Sequence, residues 1–496
     1  MSWLSRTAAA ALLVGSALTG NSVFAQQSAQ DELAEIRAQM AAQQAELQEL
    51  RQKLELQPAY GIRPADPAAC GGGPEIYRLP VCYDYFYEPS CCDDAKPPKQ
   101  HVMKWYTTYD KGFVIRPFNP EENPYEIKFG GWVQLRYNGF AREEDSWTDN
   151  AGVTRPIRNR NEFEVERARL QISGYAIDPR LSYFIQLDGD TDGADTVDFF
   201  DYWWAWEFND DQQVFLGKRK VPGSRQWILS AKHTRLADRP MAADFFRPGR
   251  TVGIFGATKV GENGYFEAMI GDGYRTENVP PSAIDDKLTF AATNYWDPFG
   301  DFGSKLTDYD WTCDPLMRIG HSFVYSPNAG SPTGTPLDES DFIRLSDGTR
   351  LTSAGALAPG VTLSEFDVYL YTMDFAYMWR GFSFDAEYYM RWIQNLQANG
   401  ALPVENLYQH GYFVEGGYFI VPKKLDFNLR YSYVSGYYGN RDEYAAGFNL
   451  YPCDTRNLKL TFDVTKVNGS PLNNTSSGIL VGDDGLLFRT QFQAEY

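Results

Sequence analysis

The sequence predicts an all-β protein: a transmembrane antiparallel β-barrel of about 16 strands, with a short N-terminal α-helical coiled coil ahead of it. Apolar and polar residues alternate in segment after segment from Tyr125 to Tyr496, and the links between segments alternate between short and long. The chain also carries 32 Tyr, 32 Phe and 12 Trp in 496 residues, which suits strands better than helices.

The first element is a leader. Arg6 precedes the apolar run AAAALLVGSAL, and Val23-Phe24-Ala25 offers small residues at cleavage spacing, so residues 1–25 read as a secretory signal peptide. Its core is too short to span a bilayer as a stable helix, and no later run of about 18 apolar residues occurs, which excludes a helical membrane protein. A mean hydropathy of −0.44 does not exclude a barrel, whose strands cross in about 9 to 11 alternating residues.

Residues 26–56 follow as an oligomerisation helix. Leu33, Ile36, Met40, Gln43, Leu47, Leu50 and Leu54 recur at alternating steps of three and four, an a/d heptad seam with one polar position that helps to fix register. Residues 57–101 form a Cys/Pro/Gly-rich linker with Cys70, Cys82, Cys91 and Cys92. In an oxidising compartment this loop-rich set reads as disulfide cysteines rather than a metal site, since no CxxC pair is present.

The barrel occupies 102–496. In RARLQISGYAIDPRLSYFIQLD (167–188), Ala168, Leu170, Ile172, Gly174 and Ala176 share one parity; Arg167, Arg169, Gln171, Ser173 and Tyr175 share the other. After a turn read at Asp178-Pro179-Arg180 the alternation resumes, so the stretch is a hairpin with one oily face and one wet face. Further strands are read at 125–139, 197–208, 212–221, 251–260, 264–272, 286–296, 316–326, 366–378, 382–392, 411–421, 425–434, 443–451, 457–466 and 486–496. Short links at 209–211, 261–264, 379–381 and 422–424 alternate with long ones at 140–162, 222–250, 327–365, 393–410 and 467–485. Short turns on one rim and long loops on the other mark a closed outer-membrane barrel. The link 297–315 falls on the short rim and is long.

A soluble sandwich would alternate too. Two features turn the oily face toward lipid instead. Aromatic residues crowd strand ends, as in Tyr202-Trp203-Trp204-Ala205-Trp206, which suits a membrane-interface belt. The C-terminal strand LLFRTQFQAEY, closing on Tyr496, resembles the strand that outer-membrane barrels present to the barrel assembly machinery. The location predicted is the outer membrane, in contact with its lipid, with a periplasmic N-terminal extension.

The residues YDKGFVIRPFN (109–119), YEIKFGGWVQLRYNGF (125–140), FEVERARLQISGYAIDPRLSYFIQLD (163–188), VFLGKRKVP (214–222), RTVGIFGATKV (250–260), EYAAGFNLYPCDTRNLKLTF (443–462) and FRTQFQ (488–493) resemble the phosphate-selective porin O and P family. The resemblance covers most of the chain after residue 105. It implies a sixteen-stranded outer-membrane porin, a homotrimer, and passage of anions including phosphate. Arg219 stands where the family has an aromatic residue, so phosphate preference does not follow from the resemblance alone.

A diffusion pore needs a hydrated lumen and a constriction whose width and charge sort solutes, with no catalysis. The third long link, 222–250, holds Arg225, Lys232, Arg235, Arg239, Arg247 and Arg250 against Asp238 and Asp244, inside a chain of net charge −19. These six are the predicted pore-constriction and anion-binding residues. Arg136, Arg167, Arg169 and Arg219 lie on the wet parity as lumen-facing basic residues. Such a set favours small anionic solutes, because guanidinium groups suit carboxylate and phosphate oxygens. The same arginines could instead pair with Asp188, Glu207 or Asp385 and stiffen the wall. The predicted function is passive diffusion of small hydrophilic solutes, favouring anions. The alternative is a structural or adhesive barrel with a plugged lumen, tethered to the cell wall through its coiled coil.

The acidic balance argues against nucleic acid as a partner. The run DGDTDGADTVD (188–198) lacks the spacing and closing Glu of a calcium loop. His101, His233, His321 and His410 are scattered, no Ser/His/Asp set is suggested, and the sequence points to no catalytic residue, metal or cofactor.

Overall fold

A computed structural model describes residues 104–190, 197–276, 285–328 and 343–496. The predicted signal peptide, coiled coil and linker, with Cys70, Cys82, Cys91 and Cys92, lie outside the described residues.

The chain enters through a short hairpin, β1 (Trp105–Tyr109) and β2 (Phe113–Pro117), and continues into β3 (Tyr125–Arg142). A two-stranded flap, β4 (Ser146–Thr148) and β5 (Thr154–Pro156), occupies the first long loop. The wall then runs through β6 (Arg160–Ala176), β7 (Asp178–Gly189), β8 (Val197–Asn209), β9 (Gln212–Lys220), β10 (Arg250–Val260), β11 (Gly264–Gly271) and β12 (Thr289–Trp296). It continues with β13 (Leu316–Asn328), β14 (Leu363–Trp379), β15 (Phe382–Ala398), β16 (Leu407–Val421), β17 (Leu425–Gly436), β18 (Gly439–Leu450), β19 (Leu458–Asn468) and β20 (Gly485–Glu495).

Each wall strand pairs antiparallel with the next, and β20 returns to β3 from Gly485↔Arg142 to Glu495↔Trp132, closing a 16-strand barrel. All sixteen segments read from alternation are the wall strands. β3 extends below the end of β20, and there β2 takes over as its partner, from Phe113↔Phe129 to Ile115↔Ile127. The small hairpin therefore covers backbone donors and acceptors that β20 is too short to reach.

The pattern of exposure is that of a barrel in hydrocarbon. Leu429 is 54% exposed, whereas Asn428 and Arg430 on either side are 1% and 4% exposed. Apolar side chains face out and polar ones face in, the reverse of a soluble sandwich.

The turn read at Asp178-Pro179-Arg180 sits one step earlier. Ile177 alone bridges β6 and β7 with φ 75, while Asp178, Pro179 and Arg180 already belong to β7. Proline is tolerated there because it stands near the start of the strand, ahead of the ladder's regular pairing.

The long link on the short rim has a physical explanation as well. Residues 297–315 fold back inside the wall. Phe302 is buried against Leu316, Ala376 and Met378, and Tyr309 packs on Phe419 and Tyr451. Short turns thus dominate one rim because they cross nothing, and this segment is long because it runs beneath several strands.

Candidate functional site

The pleat places Arg136 on β3 and Arg167 and Arg169 on β6 inside the barrel. A β-bulge adds to them: Gln134 pairs Arg167 and Leu135 pairs Val165, which leaves Glu166 unpaired and turns it inward beside Arg167. Glu166 meets Arg167 at 2.8 Å and Arg136 at 3.4 Å.

The 221–249 loop plunges into the lumen. It opens with helix α1 (Arg225–Ile228), capped by the Ser224 hydroxyl, which accepts from the Trp227 N–H at 3.3 Å. From there it reaches the far wall. Arg225 and Arg235 both ion-pair with Asp385, and Arg235 also bonds the Ser383 hydroxyl at 2.5 Å and faces Glu415 at 3.6 Å. Lys232 pairs with Glu495. The loop's backbone is held too: Ala237 N–H donates to Asp463 at 2.7 Å, Met241 N–H to Glu443 at 2.7 Å and Ala242 N–H to Ser432 at 2.8 Å.

Asp238 ties the loop to the near wall, 3.2 Å from both Arg136 and Arg167. Burial alone would raise its carboxyl, but Arg167, Arg136 and Arg239 outweigh burial and hold it well below the usual carboxylate range. The second helix, α2 (Met241–Phe246), then rests on the inner wall, with the Phe246 ring stacked on Tyr389 at 5.3 Å.

The ten basic residues predicted from sequence therefore separate into two groups. Arg225, Lys232 and Arg235 are absorbed by wall acids, as are Arg136 and Arg167. Arg169 bonds Asp188 at 2.8 Å and lies over the Phe200 ring at 4.2 Å, and Arg219 meets Glu267 at 3.1 Å. The other three converge. Arg239, Arg247 and Arg250, joined by Lys220 from the end of β9, surround the indole of Trp227 at 5.4, 4.2, 5.4 and 4.9 Å from the ring centre.

Among the described residues, two acids pair with these four cations, and Arg247 and Arg250 have further partners besides. Asp201 meets Arg250 at 3.0 Å and Asp244 meets Arg247 at 2.8 Å. The Arg239 guanidinium donates instead to the carbonyls of Gln226 at 3.1 Å and Leu229 at 2.9 Å, and forms no ion pair among the described residues. Lys220 donates to the carbonyls of Trp227, Ile228 and Leu229 at 2.8, 3.2 and 2.9 Å, answering the free carbonyl end of α1. Sequence reasoning missed Lys220 and Trp227. The signal was available in the run Lys218-Arg219-Lys220 followed by the loop's single Trp, but parity alone does not reveal that a strand end feeds the loop.

The space left by the loop is eccentric. Wall side chains of β14 to β20 such as Glu387, Glu415 and Glu443 are buried beneath it, whereas Gln171, Phe184, Trp203, Gln213, Arg219, Tyr265 and Tyr295 stay half-exposed. Toward the short-turn rim this side opens into a cavity of ≈ 690 Å³ lined by Glu207, Gln213, Tyr265, Tyr295, Asp297 and Asp301. His233, His321 and His410 lie apart, on the loop, β13 and β16, and no group of three or more His, Cys, Asp or Glu able to hold a metal occurs among the described residues. Fixed cations along a hydrated passage lower the barrier for anions and raise it for cations.

Among solved structures, the fold is similar to the anion-selective porin from Comamonas acidovorans, with 11% identity, a TM-score of 0.48, and coverage of 75% of this chain and 100% of that one. The outer membrane protein OmpT of Vibrio cholerae gives 11% identity, a TM-score of 0.46, and coverage of 75% and 98%. The outer membrane channel DcaP of Acinetobacter baumannii gives 9% identity, a TM-score of 0.46, and coverage of 75% and 97%. Among curated proteins, no sequence matches the chain significantly. The sequence model of the phosphate-selective porin O and P family matches residues 145–296 and 346–496, more than half of the chain, and the protein belongs to that family of outer-membrane porins.

Proposed function

We propose that the protein is a homotrimeric outer-membrane channel for passive diffusion of small hydrophilic solutes, that it favours anions, phosphate and carboxylates among them, and that its N-terminal extension lies in the periplasm. The observation that carries the anion preference is the convergence of Lys220, Arg239, Arg247 and Arg250 on the one indole of Trp227, each within 5.4 Å of the ring centre. The other loop cations are matched by wall carboxylates and contribute placement rather than field. An anion entering this group gains charge-assisted hydrogen bonds from guanidinium groups that already converge.

The test is the reversal potential across a KCl gradient for trimer in a planar bilayer, for the wild type and for Arg239→Gln with Arg247→Gln. The wild type is expected to pass chloride over potassium, and the double variant to move several-fold toward equal permeability. A cation-selective wild type defeats the reading. The crowding of the β14 to β20 half by the inserted loop favours one rival, the plugged structural barrel. That rival requires purified protein to give no conductance steps at all.

A further inference from the structure

The 297–315 segment does more than connect β12 to β13. It leaves β12 with the Asp297 N–H donating to the Asn263 carbonyl at 2.9 Å, and the Asp297 carboxylate takes two bonds from Arg318, at 2.7 and 2.6 Å. Arg318 also donates to the Gly303 carbonyl at 3.0 Å. Phe302, fully buried, then packs on Ala376 and Met378, which face inward from β14. At Lys305 the segment meets the inserted loop: the Arg225 guanidinium donates to the Lys305 carbonyl at 3.3 Å.

The segment continues beneath further strands. Asp308, 1% exposed, accepts from the Gly381 N–H at 2.7 Å and from Thr312, which closes the return to β13. Tyr309 stands edge-on to Phe419 of β16 and to Tyr451 beyond β18, and Asp310 pairs with Arg456 at 2.9 Å. From the foot of β12 to the far side of β18 this segment covers the inner foot of the wall. It is fastened at both ends and in its middle by buried groups, so it is a fixed floor rather than a loose turn.

A floor under one half of the bore confines the exit to the other half. The exit is then the cavity at the feet of β8 to β12, whose charged lining is acidic: Glu207, Asp210, Asp211, Glu262, Asp297 and Asp301 against Lys259. Its sign is opposite to that of the group around Trp227. The two elements are built by different segments, one entering from the long-loop rim and one from the short-turn rim.

We propose that the 297–315 segment is a second constriction of the channel, at the short-turn exit, which sets the size limit from that side independently of the basic loop. It rests on the channel reading above and assigns a size-determining role to Phe302 and the segment it anchors. In this class of barrel the short turns face the periplasm, so the limit applies to entry from the periplasm.

The experiment is polymer exclusion with single inserted trimers of known orientation. Polyethylene glycols of graded size are added to one side at a time while conductance is recorded. From the long-loop side, intermediate sizes are expected to enter the outer vestibule and lower the conductance; from the short-turn side the same sizes are expected to be shut out. Replacing residues 299–313 with a two-residue Asn-Gly turn is expected to remove that asymmetry and raise the conductance roughly twofold. Should that variant fail to assemble, Phe302→Ala, which frees the segment from Ala376 and Met378, is expected to weaken the asymmetry in folded trimer. Equal cut-offs from both sides in the wild type overturn the proposal and leave the channel reading standing. Conductance that is absent altogether overturns both.

Discussion

Asp238 holds more of the loop in place than any of the cations around it. One carboxylate oxygen faces Arg136 and Arg167, the other accepts from the Arg239 N–H at 2.8 Å, and its carbonyl accepts from Arg430 at 2.8 Å. A single residue thus joins the loop to β3, β6 and β17. Asp238→Asn removes the charge but keeps the shape, leaving Arg167 with Glu166 at 2.8 Å and Arg136 with Glu166 at 3.4 Å and Glu164 at 3.9 Å. Breaking one side of a buried charge network costs about 3 kcal/mol or more. The melting temperature of folded barrel, read from its heat-dependent shift on gels, is expected to fall, whereas Asp310→Asn on the exposed rim leaves it nearly unchanged. The sign of the pH effect follows from the depressed carboxyl of Asp238. Its contribution is complete above the unfolded value of about 4 and is lost only as pH falls through the lower folded value. Loop docking at pH 5 should therefore equal docking at pH 7. A melting temperature that already drops between those values in the wild type but not in Asp238→Asn would refute this assignment.

At the scale of elements, α2 shows why the loop lies where it does. The inward face of β16 carries Gly411, and a Cβ built there would come within 2.6 Å of the Phe246 ring and 2.4 Å of the Tyr433 carbonyl. The missing side chain makes the seat into which Phe246 settles against Tyr389. Gly411→Val is expected to lift α2 off the wall, seen as noisier single-channel current with the sixteen-strand circular dichroism of the barrel retained. Quiet wild-type current in that variant would show that the seat is dispensable. The wall itself was legible because a strand buried on one face writes its register in a period of two, and that signal repeats sixteen times. The elements that were not legible are those without a period. β1 and β2 have five residues each and β4 and β5 three, too few to separate alternation from chance. The candidate site was legible as a charge anomaly in the third long loop but not as a geometry. Whether Arg235 or Arg239 keeps an unmatched charge depends on which acids lie across the barrel, and in sequence Asp385 is as far from one as from the other. The bulge at Glu166 shows the same limit, since one unpaired residue reverses the parity on which the reading depends.

For the molecule as a whole, the inserted loop and the wall it covers carry opposite charge. On the inner face of β14 to β20, Asp374, Asp385, Glu387, Glu415, Asp426, Glu443 and Asp463 stand against Arg391, Arg430, Lys459 and Arg489. Arg225, Arg235 and the backbone N–H groups of the loop satisfy most of those acids. The anion preference proposed above is therefore a property of the assembled pair, a basic loop seated on an acidic wall, and not of the wall alone. Replacing residues 223–248 by a short flexible linker is expected to do two things at once. The bore widens, so conductance rises several-fold, and the uncovered wall presents more carboxylates than cations to water, so the reversal potential changes sign toward cations. A size effect without a sign change would mean that selectivity resides in the wall residues left behind, Arg169 and Arg219 foremost. A sign change without the size effect would mean that other loops had collapsed into the vacated space. Only the two together match a channel whose selectivity is set by one element that both narrows the bore and reverses its charge.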